Sequence, residues 1–160
     1  MLLHLLFLIF FISQQGPVEA LIDTGYNKYL EEDYAGAIED FNKASELAPK
    51  NAEIYYLRGV CKSSIDEKAS AMVDYNKALN INPKYAEVYY EKAYLYLQDQ
   101  NAEEAIKALD RVLELNPDMA AAYVSRGTAK CMLEDIDGAN KDWNKAKELG
   151  IDYSELMICE

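Results

Sequence analysis

The sequence predicts an all-α fold of four tandem helical hairpins, and three observations carry that prediction. Stepping by 34 residues from Ala37 lands on Ala71, Ala105 and Ala139 with no gap. Each interval of that length divides into two amphipathic stretches around a polar break, the pattern of a helix pair. Gly numbers only 7 and Pro 4 in 160 residues, too few for a strand-and-turn protein of this size. A fixed period of this length is the mark of a repeat architecture, in which stacked neighbours bury a face that one unit alone cannot.

The period holds in four further columns: Gly25, Gly59, Ala93 and Gly127; Phe41, Tyr75, Leu109 and Trp143; Ala44, Ala78, Val112 and Ala146; Pro49, Pro83, Pro117 and Ile151. They divide the chain into units 18–51, 52–85, 86–119 and 120–153. In the second unit, Tyr55, Tyr56, Gly59 and Val60 set the apolar spacing of a first helix, 52–64. After the break at Ile65-Asp66-Glu67, Ala71, Met72, Tyr75, Ala78 and Leu79 form one stripe of a second helix, 68–81.

The ends of the elements are marked by chemistry. Asp33, Asn101 and Asp135 share a column at the start of the second helices, where a short polar side chain accepts from free N–H groups. Glu104, three residues after Asn101, suggests a capping box. Pro49, Pro83 and Pro117 close the second helices, because proline disfavours a helical residue before it and cannot continue the ladder. Small residues on the first helix (Gly25, Gly59, Gly127) and on the second (Ala37, Ala71, Ala105, Ala139) allow close approach. Phe41, Tyr75 and Trp143 then fill the space where hairpins meet.

Together these columns resemble the tetratricopeptide repeat family over residues 18–153. A bacterial flavour is carried by Tyr55, Arg58, Gly59 and Lys62, echoed by Tyr123, Arg126, Gly127 and Lys130, and by Asp74–Ala78 and Asp142–Ala146. The resemblance implies an α-α superhelix, a right-handed solenoid of antiparallel hairpins that serves as a protein-interaction scaffold without catalytic activity or cofactor. The chain departs from the family at Ala93, Val112 and Ile151. Glu32, Asp66, Gln100 and Glu134 stand in turns where glycine is usual, so strained or rearranged turns are expected.

In the family, first helices line a concave groove. The resemblance places there Ile22, Tyr26 and Tyr29; Tyr56, Val60 and Ser63; Tyr90, Tyr94 and Leu97; and Val124 and Thr128, with Glu19, Glu53 and Glu87 along the edge. One reading is a partner surface for a protein or peptide with apolar and basic residues, since tyrosine combines large contact area with a polar tip. The other makes many of the 13 tyrosines core, with Tyr55, Tyr89 and Tyr123 in a packing column. Some family members grip chaperone carboxylates through Lys, Asn and Arg; the aromatic, aliphatic and acidic lining here does not carry that role over.

The formal net charge of -12 disfavours nucleic acid and anionic membrane surfaces as partners. Most Asp and Glu read as solvated helix faces. Leu2 to Ile12, interrupted only by His4, is an apolar run of signal-peptide length within residues 1–20; Val18-Glu19-Ala20 offers a cleavage site and Gly16 a second possible end, but no Lys or Arg precedes the run. It predicts export, with no stable membrane span after cleavage; the alternative is a mis-assigned start and a cytoplasmic protein. Cleavage would leave no histidine, since His4 is the one histidine, and so neither the commonest general base nor the commonest metal ligand. No metal site is expected. Asp135-Ile136-Asp137-Gly138 lacks the later ligands of a calcium loop.

Cys61, Cys131 and Cys159 are an odd, scattered set, which argues against a disulfide framework. Residues 154–160 read as a short C-terminal cap, too brief to cover an apolar end fully. A self-assembling protein, stacking through that end or cross-linked through Cys159, is therefore the competing expectation.

Overall fold

In the computed structural model the period of 34 becomes a succession of antiparallel helix pairs. The structure describes the backbone of residues 2–151 and Cys159, with side chains from Gly16 onward. The helices are α1 (Leu2–Leu30), α2 (Tyr34–Leu47), α3 (Ala52–Ser64), α4 (Lys68–Ile81), α5 (Ala86–Gln98), α6 (Ala102–Leu115), α7 (Ala120–Met132) and α8 (Ile136–Glu148), with no strand among the described residues. The chain forms two compact units, Met1–Pro83 and Lys84–Glu160, each of two hairpins. The apolar leader continues α1, with Pro17 inside the helix, so no structural break marks residues 18–20. Among the described residues, no helix is long and apolar enough to cross a membrane. The expected cap at 154–160 lies outside the described residues except for Cys159.

The turns keep family geometry with unusual residues. Glu32, Asp66, Gln100 and Glu134 all take positive φ, between 57° and 62°. In the first turn, Glu32 N–H donates to the Tyr29 carbonyl and Asp33 N–H to the Lys28 carbonyl, at 3.0 and 2.9 Å, and the other three repeat this pair. That is the Schellman closure, ordinarily built on glycine because a Cβ in the left-handed region is strained. The turns are thus strained but not rearranged. The residue after each bend starts the next helix: Asp33, Asn101 and Asp135 accept through their side chains from Gly36, Glu104 and Gly138 N–H, whereas Glu67 makes no side-chain cap. Glu104 does not complete a capping box; its carboxylate takes the Lys107 ammonium at 2.6 Å.

Pro49, Pro83 and Pro117 each follow a second helix by two residues. The Ile151 departure has its own explanation. Gly150 at φ 95° closes α8, with Gly150 N–H donating to Lys147 O and Ile151 N–H to Ala146 O, both at 3.0 Å. A glycine stop replaces the proline stop.

Within each hairpin the small and large columns face each other. A Cβ on Gly25 would lie 2.9 Å from the Phe41 ring, and one on Gly59 2.5 Å from the Tyr75 ring. Gly127 meets Trp143 in the same way. Both Phe41 and Tyr75 are fully buried, so neither ring can swing aside. The third hairpin pairs Ala93 with Leu109 in one cluster, the extra methyl being admitted where the ring is missing. Ala37, Ala71, Ala105 and Ala139 are fully buried.

Most of the described Asp and Glu are exposed, as expected, but Asp40, Asp74 and Asp142 are buried carboxylates. Charge alone did not reveal them, because the cations that hold them lie one helix away. One further expectation is corrected. Cys131 and Cys159 form a disulfide inside the chain, with Cα atoms 5.5 Å apart, which cysteine spacing had argued against. A separation of 28 residues gives no local signature, since the whole of α8 intervenes. Cys61 is the free, buried thiol.

Candidate functional site

The expected groove residues fall on first helices, and the two units carry separate parts. In the first unit, α1 lies against α3. Tyr26 is 46% exposed and stacks on Tyr29 at 6.1 Å, while Tyr29 packs at 5.7 Å against Tyr34 of α2. Tyr56 and Val60 are half-buried on α3, and Glu53 is exposed in its first turn. In the second unit α5 lies against α7. Tyr94 is 51% exposed, Tyr90 is half-buried with its hydroxyl 3.4 Å from Ser125 Oγ, and Glu87 is exposed in the first turn of α5.

Tyr29 and Leu97 sit deeper than a lining position. Both are half-buried and pack into clusters with the following first helix, Tyr29 with the Cys61 cluster and Leu97 with the Ala129 cluster. Their column points toward the next hairpin, so they shape the wall more than they offer contact area. The exposed rings, Tyr26 and Tyr94, hold large apolar surface with a wet hydroxyl, the combination that suits a recognition surface. Burial pushes the Glu91 carboxyl above the usual carboxylate range.

What holds this surface in place was missed in the sequence. Arg58 donates through Nε and Nη2 to Asp74 at 2.9 and 2.5 Å, and Lys62 reaches the same carboxylate at 2.8 Å. The remaining Arg58 nitrogen, Nη1, donates to Asn42 Oδ1 and Ser45 Oγ of the preceding hairpin. Arg126, Lys130 and Asp142 repeat the arrangement in the second unit, where Arg126 Nη1 reaches Asp110 of α6 at 2.6 Å. Lys28 and Asp40 form a simpler version at 2.6 Å. A fork of this kind fixes α3 and α7 against two neighbours at once. The signal was present as the Tyr-x-x-Arg-Gly-x-x-Lys and Asp columns, read only as family flavour. Arg58 and Arg126 also lie over the rings of Tyr55 and Tyr123, at 5.3 and 5.4 Å.

The hydrogen bond from Lys28 holds Asp40 below the usual carboxylate range. Burial pushes Asp142 up, but the hydrogen bonds from Arg126 and Lys130 outweigh it and leave it lowered. An open cleft of about 670 Å³ beside α8 is lined by Tyr123, Arg126, Lys141, Lys145 and Glu148 among others. Two of its cations are already engaged, Arg126 with Asp142 and Lys145 with Glu148 at 3.0 Å, which leaves it a poor anion site.

Comparison with known proteins agrees with the geometry. The tetratricopeptide repeat profile matches residues 66–131, and a second TPR repeat profile matches residues 25–61. No curated protein matches. A crystal structure of MamA is 31% identical, covers 82% of this chain and 77% of its own, and superposes with a TM-score of 0.78. The first TPR domain of Spaghetti (RPAP3), bound to the HSP90 peptide SRMEEVD, is 25% identical over 74% of this chain and 94% of its own, with a TM-score of 0.72. YrrB, described as a TPR protein with an unusual peptide-binding site, shares the fold at 20% identity and TM-score 0.73, over 86% of this chain and 71% of its own. With its gapless 34-residue period, its facing small and large columns and these matches, the chain belongs to the tetratricopeptide repeat family.

Proposed function

We propose that this protein is an interaction scaffold that binds a protein or peptide through the tyrosine-bearing faces of its first helices. The observation that carries the reading is the exposure of Tyr26 and Tyr94 on helices otherwise committed to packing. The acidic edge, Glu53 and Glu87, favours a ligand carrying basic as well as apolar residues. A relative that holds a peptide, the RPAP3 domain, supports the general mode. It does not supply the ligand, because the acidic peptide named there would meet tyrosines and glutamates here.

We place the protein outside the cytoplasm. The apolar leader supports this, and so does the Cys131–Cys159 disulfide, a bond that persists in oxidising compartments.

The test is affinity capture from a cell-envelope extract, using the protein without residues 1–20 and a Tyr56→Ala, Tyr90→Ala, Tyr94→Ala variant with an unchanged helical melt. A partner held by the first and lost by the second supports the reading. Equal capture by both moves the working surface elsewhere. A second reading, end-to-end self-assembly, is favoured by the exposed Met132, Leu133 and Ile136 at the tip of the last hairpin. Sedimentation at two concentrations separates them: mass rising with concentration indicates assembly.

A further inference from the structure

Of the four first helices, α5 alone lines its outer face with two rings and two carboxylates. Glu87, Tyr90, Glu91 and Tyr94 stand there, whereas the equivalent positions hold one tyrosine each in α1 and α3, and neither a ring nor a charge in α7. Their i, i+3, i+4, i+7 spacing makes one stripe roughly 100° wide. Along it carboxylate and ring alternate, with neighbouring Cβ atoms roughly 5–6 Å apart. Tyr94 is 51% exposed and Glu87 is exposed. Glu91 is half-buried, and among the described residues no donor or cation reaches its carboxylate. Cations of the same unit are engaged elsewhere: Arg126 and Lys130 converge on Asp142, and Lys92, next in sequence, is acted on by Glu104 of α6. The equivalent of Glu91 on α7 is Ser125, whose Oγ lies 3.4 Å from the Tyr90 hydroxyl, so this column borders the groove.

We propose that the α5 stripe receives an arginine side chain of the partner, its guanidinium forked on the Glu91 carboxylate and stacked on the Tyr94 ring. The chain twice builds this triad for itself. Arg58 lies over the Tyr55 ring while its fork holds Asp74, and Arg126 lies over Tyr123 while its fork holds Asp142. On α5 the ring and the carboxylate are present, and the partner brings the guanidinium. Arginine suits the place better than lysine: its fork matches a carboxylate, its flat face stacks on a ring, and it is more weakly hydrated than an ammonium. Burial pushes the Glu91 carboxyl up, and an opposite charge set beside it offsets that penalty. Glu87 adds negative charge one turn away, and the half-buried Val124 of α7 offers an apolar footing to the partner's next residue. Such a partner presupposes the tyrosine groove as the binding face.

The test is selection of random phage-displayed peptides on the full chain and on its Glu91→Gln variant. Glu46→Gln, at an exposed glutamate of α2, loses the same charge and serves as the control. All three proteins are first matched by helical melt. Arginine is expected to be enriched over lysine among peptides held by the full chain, with that preference lost in Glu91→Gln and kept in Glu46→Gln. For a synthetic copy of the most enriched peptide, Kd is expected to rise roughly tenfold on Glu91→Gln or on exchange of the peptide's arginine for lysine, and little further when both are changed. Peptides no richer in arginine than in lysine, or an arginine preference that survives Glu91→Gln, would overturn the proposal. If those peptides are still lost by the Tyr56→Ala, Tyr90→Ala, Tyr94→Ala variant, the groove stands as the binding face and only the arginine assignment falls. Peptides held equally by that triple variant, or no enrichment at all, overturn both.

Discussion

Asp74 is 2% exposed in a chain whose net charge is -12, and its burial is tolerated because Arg58 and Lys62 converge on it. Removing the carboxylate leaves two cations on a partly buried face, a change that costs about 3 kcal/mol. Asp74→Ala is therefore expected to lower the urea midpoint sharply, and Lys62→Met far less, since Arg58 remains bidentate. The depressed carboxyls of Asp40 and Asp142 set the pH response. A group held below its unfolded value contributes fully above about pH 4 and loses that contribution as pH falls through the folded value. Thermal melts are expected to fall below that point, and Asp142→Asn should flatten part of the decline. The Gly59–Tyr75 contact gives a sharper test. Gly59→Ala should cost about 2 kcal/mol by overpacking, and Tyr75→Leu in the same chain should recover part of it, because together they copy the Ala93–Leu109 pair. At this scale the sequence showed which residues were small and which large. That they face one another ring to backbone needed three dimensions.

Helices and their ends were the most legible level, since each cap or stop is decided within a few residues. The polar column at Asp33, Asn101 and Asp135 caps as its chemistry requires, and the prolines stand just beyond the helices they end. The bends are another matter: Asp66 adopts φ 62° without being glycine or asparagine, and no local signal announces it. The conformation is imposed by the hairpin, whose two helices must pack whatever residue occupies the bend. Asp66→Gly should accordingly stabilise by about 1 kcal/mol, the left-handed strain removed less the entropy glycine loses. A raised melting midpoint with unchanged helicity would show it, and a lowered one would mean that the carboxylate has a role of its own. The start of α1 was not legible either: an apolar leader and an amphipathic helix are both helical patterns, and nothing in their join requires a break.

For the molecule as a whole, the period of 34 was enough to establish fold class and family, because repetition multiplies a weak signal four times. The candidate site was legible only in part. Periodicity assigns a residue to a face, but whether that face stays open depends on the next hairpin, and so Tyr26 and Tyr94 are exposed while Tyr29 and Leu97 are packed. The disulfide was hidden because 28 residues separate its partners, too far apart for a local signature. Stability in such an array is a sum of hairpins and the contacts between neighbours, which makes local opening at the ends the expected first step of unfolding.

The side chain that fills the last hairpin gives that expectation an optical handle. Trp143 is the single tryptophan of the chain; it is nearly buried, and its indole N–H donates to the Val124 carbonyl at 3.3 Å. Its fluorescence therefore reports on the fourth hairpin alone, whereas circular dichroism averages over all four. Emission that shifts to longer wavelength before the helical signal falls would show the array opening from this end.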